Sequence, residues 1–349
     1  MRQVITVLIG TLFISILLLK RSRKPKTYKI TRFVTKDQHL TSIINEINSS
    51  RIPIPSKPNK IQPPKPAYER RSFAYPSDKN DIFYYETLMS EKSVKTPVVI
   101  VCFMGGHSKS ACIRRVASEF YENGHPVYIL LPRGSLDTRI HPQQIKFRSE
   151  GYDTEDINSL LGLIPSSKVI LTGYSLGGFN VCHFMCSSES NISKVDKLVM
   201  AFVEHDPSHT VRMHPRLKKM LGSCLEPYIN NNRGYFNAHG FDNQCLDDII
   251  KRQMIEYYDQ QVWVKIRKMK NVQEYYDWVK LDERMQELQI PSLFLNTDDD
   301  VIGGDYIPLE EMKKNENINA VVFNVGNHLG TVTKDGKDLV SKVIVQWCQ

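Results

Sequence analysis

The chain has no C-x-x-C pair. Its seven cysteines (Cys102, Cys112, Cys182, Cys186, Cys224, Cys245 and Cys348) are scattered and odd in number. That spacing excludes a zinc ribbon and argues against a disulfide framework, so reduced thiols facing cytosol are the plain reading. The chain also lacks a basic folded region. The formal net charge is +8, yet residues 1–71 hold 15 of the 46 Lys/Arg and 3 of the 38 Asp/Glu, which makes that stretch +12 and the remainder −4. Nucleic-acid binding calls for basic residues clustered on a folded surface, and no nucleic-acid partner is expected. No motif implies a metal or an organic cofactor, and none is expected. Long apolar runs are scarce as well, with Val4–Leu19 the conspicuous one.

That run is uncharged for sixteen residues and is followed by Lys20, Arg21, Arg23, Lys24 and Lys26. It is short for a full span, but Met1–Gln3 and snorkelling lysines extend it. A cleaved signal peptide would carry its charge before the apolar run and small residues after it. Here only Arg2 precedes, and no A-x-A-like site follows. The reading is therefore an uncleaved, single-pass membrane anchor at 1–26. Its basic flank places the rest of the chain in the cytoplasm and can lie against anionic headgroups. Residues 27–51 read as an amphipathic lead-in, and Arg51–Pro66 contains six prolines. Together, 27–70 read as a Pro-rich linker or arm, stiff and extended.

With 349 residues and 41% hydrophobic content, the rest can bury a sizeable core. Ser72–Tyr75 and Ile82–Thr87 flank a polar turn over Pro76–Asp81 and read as a hairpin. Pro97–Phe103, Pro126–Leu131, Val169–Tyr174, Lys197–Val203, Pro291–Asn296 and Ala320–Val325 read as strands. Continuous apolar runs of this length suit strands covered on both faces. Helical patterns at Ser110–Asn123, Thr154–Leu163, Phe179–Ser187 and Lys334–Trp347 alternate with them. This rhythm predicts an α/β fold with a mostly parallel, doubly wound sheet over 71–349. It breaks at 205–289, which is helical in pattern and rich in aromatics. An insertion there reads as a helical lid over the carboxyl edge of the sheet, where ligands bind in such folds. Its aromatics would mostly pack the lid, with a few left to line an apolar pocket.

The strand Val169–Tyr174 leads into Gly173-Tyr174-Ser175-Leu176-Gly177 and then a helix. This is the strand–turn–helix setting of a G-x-S-x-G nucleophile elbow. On its own, the pentapeptide also fits a serine in a tight turn. Two further groups sit just past strand ends: the acids of Thr297-Asp298-Asp299-Asp300 and His328 of Gly326-Asn327-His328-Leu329-Gly330. Ser, acid and His thus follow one another in the chain order of α/β-hydrolases. A serine hydroxyl is a poor nucleophile at neutral pH, whereas an imidazole can take its proton and later return it. An aspartate holds that imidazole in the useful tautomer. The oxyanion needs preorganised donors: the Leu176 N–H directly after the nucleophile, and the Met104 N–H in the loop after Pro97–Phe103. His107, in the same loop, reads as a packing residue.

Several segments together resemble the family-4 branch of the α/β-hydrolase superfamily. They are Gly105-Gly106-His107-Ser108, Gly151-Tyr152-Asp153-Thr154-Glu155-Asp156, Gly173–Gly178, Leu246-Asp247-Asp248 with Tyr275-Tyr276, Leu295–Asp300 and Asn327–Gly330. The branch contains bacterial esterase-like proteins, fungal ester-forming acyltransferases and animal membrane-anchored lipases. The resemblance covers about residues 70–349 and implies an acid at Asp300, with Asp299 as the fallback. The sequence departs from it at Phe103, where the family usually has Gly, and at Val301, where it usually has Pro. The expected function is a membrane-anchored serine hydrolase that cleaves or transfers acyl groups of lipid or other small carboxylic esters. It would use Ser175, His328 and Asp300, and act on a substrate delivered from the bilayer. The alternative is a catalytically impaired scaffold or lipid-binding protein at a membrane. A peptidase or thioesterase would share the mechanism.

Overall fold

A computed structural model describes residues 27–54, 68–89, 94–107, 109–135, 138–149, 154–208, 215–303, 306–333 and 338–349. The expected anchor at 1–26, most of the Pro-rich stretch, Ser108, Gly151–Asp153 and the first residues of the expected last helix lie outside them. Among the described residues, no helix is long and apolar enough to cross a membrane.

The strands form one sheet of nine, in the order β1-β9-β8-β7-β6-β4-β5-β3-β2. Six run parallel: β4 (Val98–Val101), β5 (Val127–Leu130), β6 (Val169–Tyr174), β7 (Val195–Ala201), β8 (Ser292–Thr297) and β9 (Ile318–Phe323). Every residue of β4, β6, β8 and β9 is buried, as continuous apolar strands require when helices cover both faces. One face packs Ile100, Ile170, Val199 and Val321 against α1 (Gln38–Ser49), α2 (Ala111–Glu122) and α13 (Leu339–Cys348). The other packs Val101, Leu171 and Met200 against α3 (Glu155–Leu163) and α4 (Leu176–Met185).

The edges differ from the sequence reading in two ways. The hairpin β2 (Glu69–Tyr75) and β3 (Asp78–Leu88) turns at Pro76-Ser77 alone, and the polar residues Asp78–Asp81 belong to the strand. Asp81 can stand there because its carboxylate is ion-paired with Arg133 at 2.8 Å and Arg148 at 2.6 Å, all three side chains being buried. The larger correction concerns residues 27–70, expected to be a linker or arm. Residues 27–54 are part of the folded body. β1 (Ile30–Val34) adds an antiparallel ninth strand along β9, and α1 follows it. Asp37 caps α1 by accepting from the His39 and Leu40 N–H groups, and Leu40, Ile43, Ile44 and Ile47 form its buried stripe. A strand with a single buried residue has little hydrophobic signature. Its ladder with β9 supplies the stabilisation that its side chains do not.

Between β7 and β8 the chain is helical. It forms α5 (Pro215–Gly222), α6 (Leu225–Asn231), α7 (Arg233–Ala238), α8 (Asn243–Arg252), α9 (Ile255–Tyr258), a π turn at Asp259–Trp263, α10 (Val264–Ile266) and α11 (Val272–Val279). Its aromatics build a core of their own. Tyr228, Phe236, Phe241, Tyr258, Trp263, Tyr275 and Tyr276 pack together, with Tyr257 and Trp278 against them. Phe147 of the body reaches in, stacking on Tyr235 with ring centres 5.4 Å apart. After β8 come α12 (Leu309–Met312), β9 and α13.

Candidate active site

β6 lies between β4 and β7, while β5 lies on the far side of β4. The chain order therefore reverses at β4 and β6, and the loops beyond their carboxyl ends diverge to leave a crevice. Ser175 stands there with φ 51° and ψ −119°, a strained conformation for a residue with a Cβ. The surrounding structure holds it. Ser175 N–H donates to Ala201 O at 2.9 Å, and Ser175 O accepts from the Gly178 N–H at 2.8 Å. The two glycines of the motif are close-approach positions. A Cβ on Gly173 would lie 2.3 Å from Gly177 O, and one on Gly177 would lie 2.2 Å from Val101 O and 2.6 Å from Cys102 O. Both contacts are with backbone, which cannot swing aside.

The contact at Gly177 sets the elbow directly against the end of β4, so the loop that follows β4 sits beside Ser175. That loop is a turn closed by Gly106 N–H donating to Phe103 O at 2.8 Å, with Gly105 at φ +67°. A glycine at positive φ in the third position is what a type II turn needs. Met104 occupies the second position, and Leu176 opens α4 directly after Ser175. His107 lies in the loop ahead of α2, its Nδ1 accepting from Lys109 N–H at 3.0 Å.

His328 rides on a short 3-10 turn, Asn327–Leu329, just past β9. The Ser175 hydroxyl donates to His328 Nε2 at 2.7 Å. His328 Nδ1 donates to Asp300 Oδ2 at 2.8 Å, the tautomer that leaves Nε2 free to accept. His328 and Asp300 are buried, which strengthens their attraction. The second Asp300 oxygen accepts from the Ile302 N–H at 2.8 Å. The structure thus brings together Ser175, His328 and Asp300, residues 153 and 28 positions apart along the chain.

Asp299, the fallback acid, turns elsewhere. Its Oδ1 accepts from the N–H groups of Gly326 and Asn327, both at 2.8 Å, and so carries the turn that presents His328. Thr297 Oγ1 donates to Asn327 O at 2.9 Å in the same service. Sequence reasoning did not assign these roles. The run of three aspartates was visible, but their division of labour depends on which way each side chain faces. Glu204 was also missed. It follows β7, and its backbone abuts Gly303 of the Asp300 loop. Burial, and then the charge of Asp300, push its carboxyl well above the usual carboxylate range.

No protein-family model matches the chain. Among curated proteins it is 23% identical to phospholipase ABHD3 of Homo sapiens, over 70% of this chain and 60% of that protein. It is 22% identical to monoacylglycerol lipase ABHD2 of Mus musculus, over 78% of this chain and 69% of that protein. The chain spans about three fifths of the length of the phospholipase relatives it matches. Among solved structures, lip1 of Acinetobacter baumannii AYE superposes with a TM-score of 0.50 at 14% identity, covering 80% of this chain and 89% of that one. The sheet order and the elbow give the chain an α/β-hydrolase fold, and its sequence is similar to that phospholipase and that monoacylglycerol lipase.

Proposed function

We propose that this protein is a serine hydrolase of carboxylic esters, with Ser175 as nucleophile, His328 as general base and acid, and Asp300 as the acid that orients the imidazole. The observation that carries the reading is the continuous hydrogen-bonded chain from Ser175 Oγ through His328 to Asp300. Ser175 Oγ attacks the ester carbonyl carbon and passes its proton to His328 Nε2. Asp300 stabilises the imidazolium so formed. The N–H groups of Leu176 and Met104 receive the negative charge that builds on the carbonyl oxygen. The intermediate collapses, and His328 returns the proton to the departing alkoxide, leaving an acyl group on Ser175. Water, activated by the same imidazole, then attacks the acyl carbon and releases the carboxylic acid. An alcohol in place of water makes the same step an acyl transfer.

The substrate class we infer is a lipid ester. Two of the relatives are named for phospholipid and monoacylglycerol cleavage, and the helical insertion offers a lid between sheet and solvent. Residues 1–26 serve as a single-pass anchor with the body on the cytoplasmic side. Deleting them is expected to spare hydrolysis of short soluble esters and to impair hydrolysis of bilayer-borne ones; equal loss on both would sink the anchor. The decisive test of the reaction is labelling of the whole protein with a fluorophosphonate probe, beside Ser175→Ala. Labelling that vanishes in the variant supports the reading. A folded wild type that takes no label would overturn it and favour the scaffold alternative, with the Phe103–Met104 turn the first place to look.

A further inference from the structure

The segment Thr27–Arg32 touches both loops that carry the acid and the histidine. It is registered in the sheet, with Ile30 opposite Phe323 and Arg32 opposite Val322. On the acid side, Thr31 Oγ1 donates to Asp298 Oδ2 at 2.8 Å, and the Arg32 guanidinium pairs with Asp298 Oδ1. Asp298 stands two residues before Asp300. On the histidine side, Asn324 is held three times. Its Oδ1 accepts from the Lys29 N–H at 2.9 Å, its Nδ2 donates to Thr27 O at 3.0 Å, and its own N–H donates to Lys29 O at 2.9 Å. Beyond His328, the Tyr28 hydroxyl donates to Val332 O at 2.8 Å. The turn that presents His328 is therefore bracketed from Asn324 to Val332 by a strand distant in sequence.

We propose that Thr27–Arg32 is a positioning clamp for the triad, fixing Asp298 on one loop and Asn324 and Val332 on the other so that Asp300 and His328 keep their contact. The proposal rests on the reading of these residues as a triad. The bonds from Asp299 and Thr297 tie the two loops to each other. β1 ties both of them to the sheet as well. The 2.8 Å contact between Asp300 and His328 depends on both loops at once, and a displacement of about 1 Å at such a site can cost roughly 100-fold in rate. The clamp is also the stretch that directly follows residues 1–26. The chain segment proposed to hold the protein at a membrane thus runs straight into the segment that holds the acid and the base.

The test is the double variant Thr31→Val with Arg32→Met in the full chain. The Arg32–Asp298 pair is partly exposed, so its removal should leave the protein folded; circular dichroism and thermal melting check this. The expected result on a short soluble ester is a kcat lowered roughly tenfold with KM unchanged, a fraction of the full misplacement cost. Arg32→Lys with Thr31 intact should recover most of it. A second readout does not need turnover. The Nδ1 proton of His328, bonded to a buried carboxylate, gives a far-downfield NMR resonance that Asp300→Ala abolishes. In the double variant it should move upfield or broaden. If the wild type cleaves no ester, the hydrolase reading fails and the clamp is judged on that resonance alone. An unchanged resonance, or an unchanged kcat in an active enzyme, would overturn the clamp.

Discussion

The two halves of the proposed triad are held in opposite ways. Ser175 is fixed by backbone: it joins the end of β6 to the start of α4, its N–H donates to Ala201 O, and the flanking glycines let the Gly177 and Val101 backbone approach. Asp300 and His328 are fixed by side chains from far away, with Asp299 and Thr297 spanning between their loops and Thr31, Arg32 and Tyr28 reaching in from the other end of the chain. The difference teaches that the elbow is held by backbone packed against backbone, whereas the acid–base pair is held by side chains. An elbow should fail all at once when one atom is added. The acid–base side should lose activity in steps as its ties are cut.

The largest effect is expected at Ser175, the proposed nucleophile. Ser175→Ala is expected to lower ester turnover by about 10⁶-fold, measured beside probe labelling. Asp300→Asn should lower kcat by about 10⁴-fold, because the amide favours the wrong imidazole tautomer. Asp299→Ala should cost only about 10- to 100-fold, since it misplaces His328 without removing the orienting carboxylate. A larger loss at Asp299 than at Asp300 would reverse the assignment of the acid.

Stability separates the two halves again. Gly177→Ala puts a Cβ 2.2 Å from Val101 O, and is expected to cost about 3 kcal/mol in denaturant melts, with soluble yield falling in step. Asn324→Ala, on the other half, should cost less stability and more kcat.

The helical insertion adds its own dependence on pH. Asp259 is buried on the π turn, accepting from the Tyr276 hydroxyl at 3.1 Å. Burial raises its carboxyl to about 7. The folded state then keeps a proton that the unfolded state loses near pH 4, so this residue's contribution to stability falls as pH rises from about 4 to about 7 and is flat above. His183 and His205 oppose it, since burial lowers them to about 3 and about 4 and they contribute stability that is lost as pH drops below about 6.5. The difference between wild type and Asp259→Asn isolates the one term. Between pH 5 and pH 7 the variant should gain up to about 2 kcal/mol on the wild type, read from chemical melts at each pH. A difference that does not change with pH would remove the buried carboxylate from the account.

The residues announce the body of the fold clearly. Apolar strands such as Val98–Val101 and Val127–Leu130, alternating with helices, require a sheet covered on both faces. Less was legible at the edges. Val195–Ala201 begins two residues earlier than its apolar run suggested, and Asp78–Asp81 reads as a turn until Arg133 and Arg148 are placed beside it. Residues 27–54 read as an arm because β1 buries only Ile30 among five residues, and a strand stabilised by backbone pairing leaves no alternation to read. The aromatics of the insertion were visible as a composition. That most of them would pack the insertion was also expected, but that Phe147 of the body joins their core was not.

By itself, the sequence determined the parallel sheet, the elbow at Ser175 and the placing of acids and a histidine after later strands. Those are consequences of local backbone geometry and of which short runs can be buried, and both are written in consecutive residues. The resemblance had pointed to Asp300 as the partner of His328, but the tertiary structure alone decided what the other two aspartates hold and that the start of the described chain closes the far edge of the sheet. Three adjacent carboxylates are chemically alike along the chain. Only the direction each side chain takes from the end of β8, and the partner waiting there, tells them apart.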